Sequence, residues 1–99
     1  MENLKFLGLE DLTDSQKDKL IDLSTRYYDK IKILINDPEI IVHLKPIKSK
    51  GNQQHFFIKA RITAPNLLFE AEQDDWDLNR TLHKVFNNLE NEIRKKLKL

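Results

Sequence analysis

The last third of the chain, from Phe69-Glu-Ala-Glu-Gln-Asp-Asp-Trp-Asp-Leu-Asn-Arg to Lys98, most limits what this sequence can fold into. It reads as a short strand, a tight acidic turn and one long helix. At about 100° per residue, Leu78, Leu82, Val85, Phe86, Leu89, Ile93 and Leu97 fall in one sector of that helix. Arg80, Lys84, Asn87, Asn91, Lys95 and Lys98 fall on the opposite side. An apolar stripe of this width is what a helix docked on a sheet needs. The polar stripe is the first pointer to a partner.

The preceding residues supply the sheet. Leu4 to Leu9 reads as an edge strand. Thr13-Asp-Ser-Gln16 has capping-box spacing and predicts a helix over Asp14 to Ile35. Its buried stripe is Leu20, Leu23, Ser24, Tyr27, Tyr28, Ile31, Leu34 and Ile35, and Asn36-Asp37-Pro38 ends it. Glu39 to Lys48 alternates as a strand, with Ile40, Val42 and Leu44 on one side and His43 and Lys45 on the other. Pro46 cannot donate to a ladder, so this strand lies at an edge or ends there. Lys48 to Asn52 reads as a hairpin loop. Gln54 to Thr63 is a strand with Phe56, Ile58, Ala60 and Ile62 inward and His55, Phe57, Lys59 and Arg61 outward. Ala64-Pro-Asn66 is a turn, and Leu67 to Glu72 a fourth strand. The expectation is an α+β fold, β-α-β-β-β-α, in which two helices cover one face of a four-stranded sheet whose last three strands form an antiparallel meander.

Ninety-nine residues suggest one domain spanning 1–99, large enough for a single modest core. The chain is 39% hydrophobic and 33% charged, which suits a globule with a heavily charged surface. There is no cysteine, so a disulfide scaffold or thiol site is excluded. No apolar run approaches the length of a membrane span, and the N-terminus lacks the pattern of a signal peptide. A cytoplasmic location is expected. The net charge of +1 is low for a nucleic-acid binder, so the distribution of charge matters more than its sum.

Three constellations bear on chemistry. On the open sheet face, His43, Lys45, His55, Phe57, Lys59 and Arg61 combine cations with an aromatic ring, a mix that suits phosphate contacts and base stacking. The same pattern also serves an ordinary solvated sheet face. On the helices, Lys19, Arg26 and Lys30 join Arg80 and Lys84 in a positive groove if the helices pack side by side. The cluster Arg94-Lys95-Lys96 and Lys98 is accounted for by the helix dipole, which favours cations at a C-terminus by about 0.3–1 kcal/mol each. Asp74, Asp75 and Asp77 are expected to cap the second helix. Trp76 lies off the buried stripe, either as a lid over the end of the core or as a stacking surface. No catalytic residue, metal ligand set or cofactor motif stands out. His43, His55 and His83 lack metal-ligand spacing, although a cross-strand pair of His43 and His55 is compatible with the pattern. With two glycines, Gly8 and Gly51, no phosphate-cradling loop can form.

The order of elements, the segments Glu70-Ala71-Glu72 and Asp74-Asp75-Trp76-Asp77, and the stripe Leu82, Val85, Phe86, Leu89, Ile93 together resemble the ribosome hibernation-promoting factors. These are also called ribosome-associated inhibitor or light-repressed proteins. The Thr13 helix start and the Tyr27-Tyr28-Asp29-Lys30-Ile31 exit are similar to the family too. The resemblance implies a fold like the double-stranded RNA-binding domain. It also implies a small cytoplasmic protein that binds rRNA of the small ribosomal subunit, occludes the tRNA and mRNA channel while ribosomes are idle, and catalyses nothing. It further implies the short form, without a C-terminal dimerisation domain, so a monomer is expected and a homodimer is compatible.

The residues expected to contact RNA are Lys19, Arg26, Lys30, Lys45, Phe57, Lys59, Arg61, Arg80, Lys84 and Lys95. Neither a membrane nor a small-molecule substrate is expected as partner. Where the family carries basic residues midway along the last helix, this chain has Asn87-Asn88-Leu89-Glu90-Asn91-Glu92. Each missing phosphate-neutralising cation lowers the salt dependence of binding by roughly one unit of slope. The alternative is a protein-interaction module on the same fold, using the open sheet face or an edge strand.

Overall fold

The computed structural model describes residues 3–98. In chain order the elements are β1 (Leu4–Leu7), α1 (Asp14–Leu34), β2 (Glu39–Leu44), β3 (Lys48–Lys50), β4 (Gln53–Ala64), β5 (Leu67–Asp75) and α2 (Leu78–Leu97). β4 is the axis of a mixed five-stranded sheet. It pairs antiparallel with β2 and β3 along one edge and with β5 along the other. β1 lies outermost, parallel to β2, with α1 as the crossover between them.

The strand count is one more than the sequence suggests, and Pro46 is the reason. The Lys45 amide still donates to the Phe57 carbonyl (2.9 Å), but the next paired residue is Lys48, opposite His55. Pro46 and Ile47 therefore face Phe56 alone, a β-bulge that divides one predicted strand into two. The hairpin loop shrinks to Gly51 and Asn52, with Gly51 at φ 62° in the first central position, as a type II′ turn requires. β1 stops early at Leu7. The reason is Gly8, whose φ is 78°; a Cβ there would sit 2.1 Å from the Leu44 carbonyl oxygen.

Alternation in the strands places Ile40, Val42, Leu44, Phe56, Ile58, Ala60, Ile62 and Phe69 on the helix-covered side, all buried. α2 buries Leu78, Leu82, Val85, Phe86, Leu89 and Ile93 against them, and Leu97 is half-buried. Full burial of each large apolar side chain contributes about 1.5–3 kcal/mol, so this stripe holds α2 down regardless of its polar face. α1 begins with the capping box anticipated for Thr13 and Gln16, their reciprocal bonds being 3.1 and 3.0 Å. It buries Leu20, Ser24, Tyr27, Tyr28 and Ile31.

The two helices run in the same direction. Tyr27 stacks on Phe86 at 4.7 Å between ring centroids, and its hydroxyl shares a hydrogen bond with Nδ1 of His83. One turn further on, Lys30 meets Glu90 at 3.2 Å.

The acidic lead-in to α2 differs from expectation. Gln73, Asp74 and Asp75 continue β5, paired with Ile58, Phe57 and Phe56. Only Asp77 is the N-cap, its carboxylate accepting from the Arg80 amide at 3.0 Å.

Candidate nucleic-acid interface

The open face of the sheet carries the residues outward on β2, β4 and β5. Register sets Lys59 beside Glu72, Arg61 beside Glu70 and Phe57 beside Asp74. The ion pairs follow this layout. Lys45 meets Glu72 at 2.6 Å, while Arg61 and Lys59 both reach Glu70, at 2.9 and 3.5 Å. His55 contacts Asp74 at 2.7 Å. The Arg61 guanidinium, aided by Lys59, holds the Glu70 carboxyl below its ordinary range. The Lys45 ammonium does the same for Glu72. Lys45, Lys59 and Arg61 thus lie among Glu70, Glu72 and Asp74, and the centre of the sheet has little net field. A small recess lies at the β1 side, lined by Leu7, Ile41, His43, Lys59 and Arg61.

Asp75 organises the start of α2. Its carboxylate takes Lys84 at 2.8 Å, Arg80 at 3.0 Å and the Asp77 amide at 3.2 Å. The Lys84 contact, followed by that of Arg80, holds the Asp75 carboxyl well below the usual aspartate range. On α1, Arg26 pairs with Asp22 at 2.9 Å. Lys19, Arg26 and Lys30 therefore share no partner with Arg80 and Lys84, although the helices do pack side by side. Among the described residues, Lys19 and Lys95 are the expected RNA contacts with no carboxylate partner. Lys19 borders a groove with Gln16, Gln54, Trp76 and Asn79 at one end of the sheet. Lys95 borders another with Asn88, Asn91 and Glu92, along β5.

His43 pairs with Lys59 and His55 with Lys48, so the two histidines are not cross-strand neighbours. Among the described residues no group of three or more His, Asp or Glu is arranged to hold a metal ion. No helix among them is long and apolar enough to cross a membrane.

No protein-family model matches the sequence, and no curated protein sequence matches it. Solved structures do share the fold. The chain is similar to a ribosomal subunit interface protein from Coxiella burnetii, with a TM-score of 0.64 and 15% identity over 97% of each chain. It is also similar to the N-terminal domain of Thermus thermophilus Protein Y, with a TM-score of 0.56 and 16% identity over 93% of each chain.

Among the cations that sequence reasoning passed over are Lys48, Lys50, Arg94, Lys96 and Lys98. None has a carboxylate partner among the described residues. The last three were absorbed into the helix-dipole argument, and the first two lie in a segment read as a loop. For Arg94, Lys96 and Lys98 the signal is an absence, since no Asp or Glu follows Glu92. The acid-free run between Glu39 and Glu70 does not separate Lys48 and Lys50, because Lys45, Lys59 and Arg61 lie in it and are paired. Lys98 closes α2 at φ 58°, its amide donating to the Arg94 and Lys95 carbonyls.

Proposed function

We propose that this protein is a ribosome-associated translation regulator. In this reading it binds the small subunit in the cytoplasm through rRNA phosphates, catalyses no reaction, and occludes the tRNA and mRNA channel while ribosomes are idle. The observation that supports the reading is the likeness of fold, over nearly the whole chain, to a ribosomal subunit interface protein. The charge layout refines it. Lys19 and Lys95, with Arg94, Lys96 and Lys98, can meet phosphate directly. Arg26, Lys30, Lys45, Lys59, Arg61, Arg80 and Lys84 must first exchange a carboxylate for it. Such an exchange returns less counterion-release free energy than a new pairing.

The test is co-sedimentation with purified small subunits at low and high salt. The protein is expected in the subunit fraction at low salt and to be released as salt rises. If it remains at the top of the gradient even at low salt, the proposal fails.

A second reading rests on β5, whose outer edge pairs with no strand among the described residues. A partner chain adding a strand there would bind in a salt-tolerant way and without RNA.

A further inference from the structure

At the end of the sheet where β4 begins and β5 ends, three rings form a continuous column. Phe57 and His55 lie 4.7 Å apart between centroids, and His55 stacks on Trp76 at 4.5 Å with 17° between planes. The column is anchored at both sides. Lys48 sits over the Phe57 ring at 5.8 Å, and Asp74 holds the His55 imidazole. Phe57, which the sequence offered as a stacking platform, is thus flanked by Lys48 and His55. Trp76 ends the column and remains 47% exposed. The indole also borders the end groove, of about 450 Å³, whose other walls include Gln16, Asn52, Gln53, Gln54 and Asn79. Side-chain amides present both donors and acceptors, as nucleobase edges do.

The charges nearby favour an anionic chain. Lys19 lines the groove, and Lys48 and Lys50 lie on β3 opposite His55 and Gln53, none with a carboxylate partner among the described residues. The two carboxylates at the site are engaged, Asp74 by His55 and Asp77 by the Arg80 amide. An exposed indole beside amides and free lysines is the combination by which single-stranded RNA is bound, each base stacking on a ring while cations follow the backbone.

We infer that Trp76 is the stacking platform for an unpaired nucleobase, with Lys19, Lys48 and Lys50 on the adjoining phosphates. The inference names a ligand for the RNA-binding reading above and rests on it.

Trp76 is the only tryptophan, so its fluorescence reports on this site alone. The intact protein is titrated with a single-stranded oligoadenylate and, separately, with an abasic ribose-phosphate chain of the same length. Saturable quenching by the oligoadenylate, absent with the abasic chain, is expected. Trp76→Ala should lower affinity for oligoadenylate, measured by anisotropy of a labelled strand, by roughly ten- to a hundredfold, and Trp76→Phe should recover most of it. Equal responses to the two chains, or no quenching, overturn the inference. So does a Trp76→Ala variant that is folded by circular dichroism and binds as well as the parent. Sedimentation with subunits but no base-dependent quenching overturns this site and leaves the ribosome reading standing. Quenching without sedimentation does the reverse.

Discussion

At the start of α2, Arg80 and Lys84 converge on a single carboxylate, Asp75, at 3.0 and 2.8 Å. At its end, Arg94, Lys95, Lys96 and Lys98 are exposed, and none has a carboxylate partner among the described residues. The same residue types on the same helix are therefore in different electrostatic states. With Asp77 included, the first group is locally balanced, whereas the last group has only Glu90 and Glu92 close by in sequence, and Glu90 is paired with Lys30. A cation already paired within the protein gains little by moving to a phosphate; one surrounded by water and counterions releases those ions on binding. The near-zero net charge thus conceals an uneven distribution. Positive charge without partners collects at the end of α2 and around β3, while the open sheet face is balanced.

The largest effect is expected from removing the unpaired group. Arg94→Ala, Lys95→Ala and Lys96→Ala together should lower the slope of log affinity for subunits against log salt by about 2–3 units, at roughly 0.7–0.9 per lost phosphate contact. The fold should persist, because these side chains contribute only about 0.3–1 kcal/mol each through the helix dipole. Binding measured across a salt series decides the matter. An unchanged slope would mean that the two ends of α2 do not differ in function.

A smaller effect should come from uncoupling the paired group. Asp75→Asn removes the shared carboxylate and leaves Arg80 and Lys84 without it, so affinity for subunits at low salt should rise. The same variant tests the acid limb of stability. Asp75, Glu70 and Glu72 all have carboxyls held below their ordinary range in the folded state. Their stabilisation is fully present above the ordinary carboxylate pKa of about 4 and fades as pH falls through the lower folded values. Urea unfolding from neutral pH down through the acid range should show the parent losing stability below about pH 4. In Asp75→Asn that loss should be shallower. Superimposable acid limbs would show that Asp75 is not the hub its contacts describe.

Much of the fold was legible because the signals are local. The Thr13 capping box, the period-two pattern of Phe56, Ile58, Ala60 and Ile62, and the stripe from Leu78 to Ile93 each need only a few neighbouring residues to be read. Pro46 was legible as an interruption, but not that pairing would resume at Lys48 after a bulge. Gln73, Asp74 and Asp75 read as a turn because aspartate disfavours strands, and pairing with β4 overrides that preference. The candidate site was less legible for the same reason. Whether Lys59 or Arg61 is free depends on the register that sets Glu70 and Glu72 opposite them, which no local pattern reveals. Residues chosen by type and face therefore included Lys45, Arg80 and Lys84, all paired, and omitted Lys48, Arg94 and Lys96.

The smallest effect is expected at the centre of the sheet, and it sharpens the comparison by extending it from one helix to the whole molecule. Lys59 reaches Glu70 at 3.5 Å, but Arg61 holds the same carboxylate with two hydrogen bonds, at 3.1 and 2.9 Å. Lys59→Ala therefore leaves Glu70 satisfied and removes a cation that was already shared. Exposed pairs of this kind contribute little, and substitutions away from buried features stay small. The melting temperature should move by roughly 2–4 °C at most, and the salt slope for subunit binding should stay where it is. A slope reduced as far as by loss of one residue from the Arg94 cluster would mean that the sheet face meets phosphate after giving up its carboxylates. Pairing in the free protein would then be a poor guide to which cations bind.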